Sequence, residues 1–164
     1  MAAEATAARE SSDRELVITR IFEAPRDVVY KVWCEPEHQA GWAGPRGFTV
    51  VSCEMDVRPG GSYRMHMRSP EGTDHHVVGV YREIFKPERI VYTWAWADAE
   101  GRPTRPETLL TVSFEDLGAQ TRLTLHQAVF ESVTARDMHR GGWSSSMDCF
   151  AEYLDRVKAE HAEL

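Results

Sequence analysis

Towards the C-terminal end of the chain, Trp143, Met147, Phe150, Leu154 and Val157 follow one another at steps of four, three, four and three. On an α-helix that spacing lines up one continuous apolar stripe. Almost everything before it reads as β-strand. A long amphipathic helix without a helical partner of similar size has to bury its stripe against a sheet. An antiparallel sheet curved around the helix meets that need, and a helix lying across a concave sheet can enclose a cavity.

Length and charge narrow the field. With 164 residues, one domain is expected, large enough for a real core. We place it at residues 14–160, with flexible tails at 1–13 and 161–164. The N-terminal stretch MAAEATAARESSDRE has no basic region followed by an apolar core, so it does not read as a secretory signal. Its Ala, Glu and Ser content reads as a frayed tail. The net charge of −7, with Lys and Arg scattered, argues against nucleic acid as a partner. Apolar runs are too short for a membrane span. Cys34, Cys53 and Cys149 are odd in number and widely spaced, which fits reduced thiols in a cytoplasm and small buried side chains rather than catalytic ones.

Along the chain, Glu15–Glu23 alternates and is rich in β-branched residues, which predicts a strand. Pro25 then suits the first turn of a helix whose apolar face is Val29, Val32 and Trp33. A second short helix is expected from Pro36 to Gly41. Six strands follow, at Thr49–Val57, Ser62–Arg68, His75–Phe85, Arg89–Ala97, Thr108–Glu115 and Gln120–Val129. Gly79 interrupts the third of these six and predicts a bulge or a close backbone approach. Thr134 is expected to cap the last helix with Asp137 completing the box. Gly141 and Gly142 are expected to loosen or kink its first part.

These elements carry a series of recognisable words: Ala24-Pro25 before a helix ending in Trp33, Gly41-Trp42 with Gly44-Pro45, Asp56-Val57-Arg58-Pro59-Gly60-Gly61-Ser62-Tyr63, Gly79-Val80-Tyr81-Arg82-Glu83-Ile84, Pro87-Glu88-Arg89-Ile90-Val91-Tyr92, and Gly142-Trp143 before Met147. Together, over about residues 15–158, they resemble the START-like or Bet v allergen-like superfamily (SRPBCC), and within it the branch named for the activator of heat-shock-protein-90 ATPase. The resemblance implies an α+β helix-grip fold: a curved seven-stranded antiparallel sheet wrapped around a long C-terminal helix, with two short helices after the first strand. It also implies an apolar ligand, since members hold lipids, hormones, polyketides or similar molecules. Some members catalyse cyclisation or hydroxylation-linked chemistry. Many have a second Trp directly after the one matching Trp42; here Ala43 stands there, which implies a wider or differently shaped cavity mouth.

Strand phase nominates the lining. Tyr63, Met65 and Met67 share one face, as do Tyr92, Trp94 and Trp96, then Leu110 and Val112, and Gln127 on the last strand. Met adapts to irregular apolar contents. His76 is phased inside beside Val78, where an imidazole in apolar surroundings would have a lowered pKa and could bond a ligand carbonyl. Trp42, Met138, Trp143 and Met147 complete the expected ligand-binding set. The plainer reading is that these side chains only pack against the helix. His75 and His76 are adjacent on a strand, so they cannot chelate one metal there, and no HxH, HExxH or carboxylate-rich spacing predicts a metal or any other cofactor. Ser144, Ser145 and Ser146 lack a nucleophile elbow, and no catalytic residue is nominated.

Three functions remain in order. The first is binding of a small apolar ligand in the cavity. The second is a cyclase- or hydrolase-type enzyme using the same cavity with one polar wall residue. The third is a chaperone co-regulator, placed last because a single domain leaves no room for the separate chaperone-binding domain of the eukaryotic namesake. A homodimer stays open.

Overall fold

The computed structural model describes residues 13–162. The expected N-terminal tail up to residue 12 and the last two residues lie outside that range. Seven strands form one curved antiparallel sheet: β1 (Leu16–Phe22), β2 (Thr49–Met55), β3 (Ser62–Arg68), β4 (Asp74–Phe85), β5 (Arg89–Ala97), β6 (Thr108–Asp116) and β7 (Thr121–Ala128). Their spatial order is β1-β7-β6-β5-β4-β3-β2. Consecutive strands from β2 to β7 pair as hairpins, and β1 closes the far side against β7. Two short helices, α1 (Arg26–Cys34) and α2 (Pro36–Trp42), link β1 to β2, and α3 (Val133–Ala162) crosses the concave face. This is the helix-grip arrangement. No described helix is long and apolar enough to cross a membrane.

The strand faces follow the period of two. On β3, Tyr63, Met65 and Met67 are buried while Arg64 and Arg68 stand in solvent. On β6 and β7, Leu110, Val112, Phe114, Leu123, Leu125 and Gln127 all point inward and are fully buried. The opposite face is wet, and leaves Val17, Ile21 and Leu109 exposed as isolated apolar residues. Gly79 is the expected close-approach point: a Cβ there would lie 1.9 Å from the Thr93 carbonyl oxygen. The Thr93 hydroxyl accepts the Val80 N–H at 2.8 Å, which satisfies the backbone where the strands crowd.

The phase of β4 corrects one expectation. Val77, not Val78, is the fully buried residue, paired with Met65 on one side and Trp96 on the other. His76 and Val78 therefore lie on the convex face, where the His76 ring stacks on that of His66 with centroids 4.3 Å apart. The run His75-His76-Val77-Val78 alternates equally well in either phase. Only the neighbouring strands, with Met65 and Trp96 already turned inward, decide it.

Two expectations for the long helix also change. Ser132, not Thr134, caps α3: its hydroxyl accepts the Ala135 N–H at 3.0 Å, the usual bond from an N-cap side chain to the third helical residue. Thr134 lies one turn position too late and is exposed. The helix then runs unbroken through Gly141 and Gly142 to Ala162. Packing of its stripe on the sheet outweighs the propensity cost of the two glycines.

The core sits beneath the C-terminal half of α3. Phe150 is fully buried among Phe22, Trp33 and Trp42, with ring centroids 4.9, 5.5 and 4.8 Å away. Arg20 on β1 pairs with Asp148 at 2.5 Å and donates to the Ser144 carbonyl, and Lys158 donates to the Glu23 carbonyl. These contacts hold the helix over the β1 side of the sheet.

Candidate ligand cavity

Between the N-terminal half of α3 and the strands β3, β4 and β5 the packing opens into a cavity of about 550 Å³. Its walls come from four places. The sheet supplies Tyr63, Met65, Met67, Val77, Tyr92 and Trp94; Trp96 and His75 stand nearby on the same face. The end of α2 and the loop after it supply Trp42, Ala43, Gly44, Pro45 and Phe48. The helix supplies Ala135, Met138, His139, Gly142, Trp143 and Ser146. Arg105, Glu131, Ser132 and Thr134 stand at the open end.

The helix residues show why there is space here. Ala135, Gly142 and Ser146 are small, and they face the sheet where Phe150 and Leu154 fill it one and two turns further on. A Cβ on Gly142 would meet nothing closer than the Pro45 ring, at 3.8 Å. The glycine that was expected to kink the helix instead leaves room under it.

The loop after α2 is fastened. Arg46 forms a two-armed ion pair with Glu152 (2.8 and 3.2 Å), and its backbone N–H donates to the Ser145 hydroxyl at 2.8 Å. Gly44 in this loop has φ of 88°, a conformation few side chains tolerate, and a Cβ there would come within 3.0 Å of the Met67 sulfur. The loop can pass this close to the cavity wall only as glycine.

Indole groups dominate the lining, yet the N–H groups of Trp42, Trp96 and Trp143 are turned into the protein. Trp42 donates to the Val32 carbonyl at 3.1 Å, Trp143 to the Gln127 side-chain oxygen at 2.8 Å, and Trp96 to His139 Nε2 at 3.1 Å. Trp33, stacked on Trp143 behind the lining, donates to the Tyr92 hydroxyl at 3.4 Å. The Trp94 indole lies beside the Tyr63 hydroxyl. The Gln127 amide is fixed in turn, because its N–H donates to Thr108 Oγ1, whose own hydrogen goes to the Trp94 carbonyl. A donor-only group such as indole can serve nothing else once it is so engaged. What the cavity receives from these residues is ring face.

His139 is the most perturbed base of the lining. Its Nδ1–H donates to the Ala135 carbonyl at 2.7 Å, and Nε2 accepts from Trp96, so both nitrogens are used by the neutral ring. Trp94 and Phe130 press against it, with centroids 5.1 and 4.7 Å away. Burial holds its pKa below the ordinary histidine value, against the smaller opposing pull of the Ala135 carbonyl and the Glu131 charge. Two thiols are held protonated: burial pushes Cys34 up to about 12 and Cys53 up to about 11. Among the described residues no group of three or more His, Cys, Asp or Glu is arranged to hold a metal ion.

The architecture has known counterparts. Residues 23–155 match the family model described as Activator of Hsp90 ATPase homolog 1-like protein. The chain belongs to this family. Solved structures similar to it share its fold. A Chromobacterium violaceum protein is 27% identical, with a TM-score of 0.74 over 86% of this chain and 96% of that one. A Nitrosomonas europaea protein is 24% identical, with a TM-score of 0.76 over 90% of this chain and 98% of that one. The AHSA1 protein of Silicibacter pomeroyi is 24% identical, with a TM-score of 0.78 over 87% and 99%. No curated protein matches the chain.

Within this Activator of Hsp90 ATPase homolog 1-like fold, the nominated residues divide. Trp42, Tyr63, Met65, Met67, Tyr92 and Trp94 stand in the cavity wall, as do Trp96, Met138 and Trp143. Met138 lies at the rim, 72% exposed. Leu110, Val112 and Met147 are fully buried in the filled core instead, and Gln127 stands behind the wall as the acceptor that orients Trp143. His76 and Val78 are on the other face of the sheet. Residues not nominated include His75, Val77, Gln39, Ser146 and His139. Of these, His139 had a signal: it lies four residues before Trp143 and so continues the same stripe.

Proposed function

We propose that this chain binds one small, largely apolar molecule in the cavity between the sheet and the N-terminal half of α3. The observation that supports this reading is the space itself. About 550 Å³ walled by aromatic and methionine side chains falls within the range of small-molecule sites. The methionines on β3 supply adaptable walls, and the indole faces supply polarisable ones. The few polar groups that border the space would set the orientation of what lies in it.

Titration with the apolar fluorophore N-phenyl-1-naphthylamine tests the reading. Saturable binding near one site per chain is expected, with quenching of tryptophan emission, and competition by any small molecule found in native mass spectra of protein purified from its own host. Absence of saturable binding to the folded protein would overturn it.

A further inference from the structure

The deep end of the cavity and its mouth differ in chemistry. At the mouth stand Arg105 and Glu131, an exposed ion pair 3.6 Å apart. At the deep end stand Tyr63 and Tyr92, 4% and 5% exposed, with rings in edge-to-face contact at 5.7 Å. The direction of hydrogen bonding at Tyr92 can be worked out. An indole N–H can only donate, so Tyr92 Oη is the acceptor in its 3.4 Å contact with Trp33. The Tyr92 oxygen thus has its lone-pair side engaged and must send its own hydrogen elsewhere. Tyr63 lies beside the Trp94 indole. Among the described residues no protein acceptor takes the phenol hydrogen of Tyr63 or of Tyr92. A buried hydroxyl donor without an acceptor is costly, and here both tyrosines line the cavity.

We infer that the cavity selects a neutral ligand with a carbonyl or similar acceptor oxygen, which enters deep end first and receives hydrogen bonds from the Tyr63 and Tyr92 hydroxyls. The inference rests on the cavity-binding reading above and narrows its ligand class. Three features argue for neutrality. Burial keeps both phenols well above the ordinary tyrosine value, so they remain donors at any physiological pH. No Lys or Arg borders the deep end, and the one Arg of the lining is at the mouth, facing Glu131. A carboxylate carried to the tyrosines would therefore be desolvated with hydroxyls but no cation, which is unfavourable. An alkane would leave both donors unpaired, which is also unfavourable. A neutral ketone, with two lone pairs on one oxygen, answers both.

The test compares benzophenone with diphenylmethane, which has the same two rings joined by CH₂ in place of C=O. In the unaltered protein the bound ketone should show its carbonyl stretch at lower frequency than in hexane, as a hydrogen-bonded carbonyl does. In Tyr63→Phe and Tyr92→Phe the ratio of benzophenone to diphenylmethane affinity should fall about five- to tenfold each, the worth of one buried hydrogen bond. Diphenylmethane affinity itself should hold or rise, because each variant removes a donor that the hydrocarbon leaves unpaired. An unshifted carbonyl stretch overturns the inference without any variant. So does a ketone-to-hydrocarbon ratio that both variants leave alone, and in either case cavity binding still stands. If neither compound binds the unaltered protein, the container reading falls and this inference falls with it.

Discussion

From Met147 onward, α3 sends Met147, Phe150, Leu154 and Val157 into a core that closes on them with almost no exposed surface. From Ala135 to Ser146 the same helix, over the same sheet, borders a cavity of about 550 Å³. The apolar stripe is continuous through both halves, so hydrophobicity does not distinguish them. Volume does. Large side chains recur on every turn of the second half, whereas Ala135, Gly142 and Ser146 thin out the first, leaving His139 and Trp143 as pillars. Both pillars are held from the side, His139 by Ala135 and Trp96 and Trp143 by Gln127. A fold can hold a container and its own solid support on one helix by varying only the size of residues on the buried face.

The largest effect should come from emptying the solid half. Phe150→Ala removes a ring packed on three aromatic neighbours and should cost about 3–5 kcal/mol, read from the denaturant midpoint. A loss below about 1 kcal/mol would mean that this half is no better packed than the other, and the contrast would disappear.

Filling the open half should do the reverse. Gly142→Leu places a side chain where the backbone has room and replaces a poor helix former by a good one. Stability should rise by about 0.5–1 kcal/mol while fluorophore affinity falls at least about tenfold. A variant that loses stability would show that the space under Gly142 is not free.

The smallest effect sharpens the role of the pillar. Because burial lowers the His139 pKa in the folded chain, the unfolded chain takes up the proton first as pH drops below the ordinary value of 6.5. The stabilising contribution is therefore complete above that value and is lost as pH falls through the folded-state pKa. Protonation would also set an Nε2–H against the Trp96 N–H. Between pH 7 and about pH 5.5 the unaltered protein should lose less than about 1 kcal/mol more than His139→Gln does, given the partial exposure of the ring. Equal pH profiles for the two would mean that the imidazole is not held neutral by its surroundings.

Much of this was legible beforehand. Ser62–Arg68 alternates strictly, so its inward face of Tyr63, Met65 and Met67 follows from the residues alone, and the 4-3-4-3 steps locate the long helix and its buried side. Two kinds of information were not. The phase of His75-His76-Val77-Val78 is settled by Met65 and Trp96 across the ladder, partners that no local pattern contains. The division of the stripe into core and cavity depends on three-dimensional volume. From sequence, Gly142 reads as a flaw in a helix, and Leu110, Val112 and Met147 read as lining, because apolarity alone cannot say whether a side chain faces another atom or a space.

The engagement of the indole N–H groups has a calorimetric consequence. Water inside the unfilled cavity would meet ring faces and thioethers, with few groups to bond beyond the buried hydroxyls and the Gln39 and Ser146 side chains. Such water is poorly coordinated, and its release to bulk restores hydrogen bonds it lacked. Ligand uptake should therefore be exothermic at room temperature, with the negative heat-capacity change of apolar burial, rather than carried by entropy as in the transfer of a hydrocarbon out of water. By tying its tryptophans into the protein, the chain turns the heat of association into a property of the unfilled cavity as much as of the molecule that fills it.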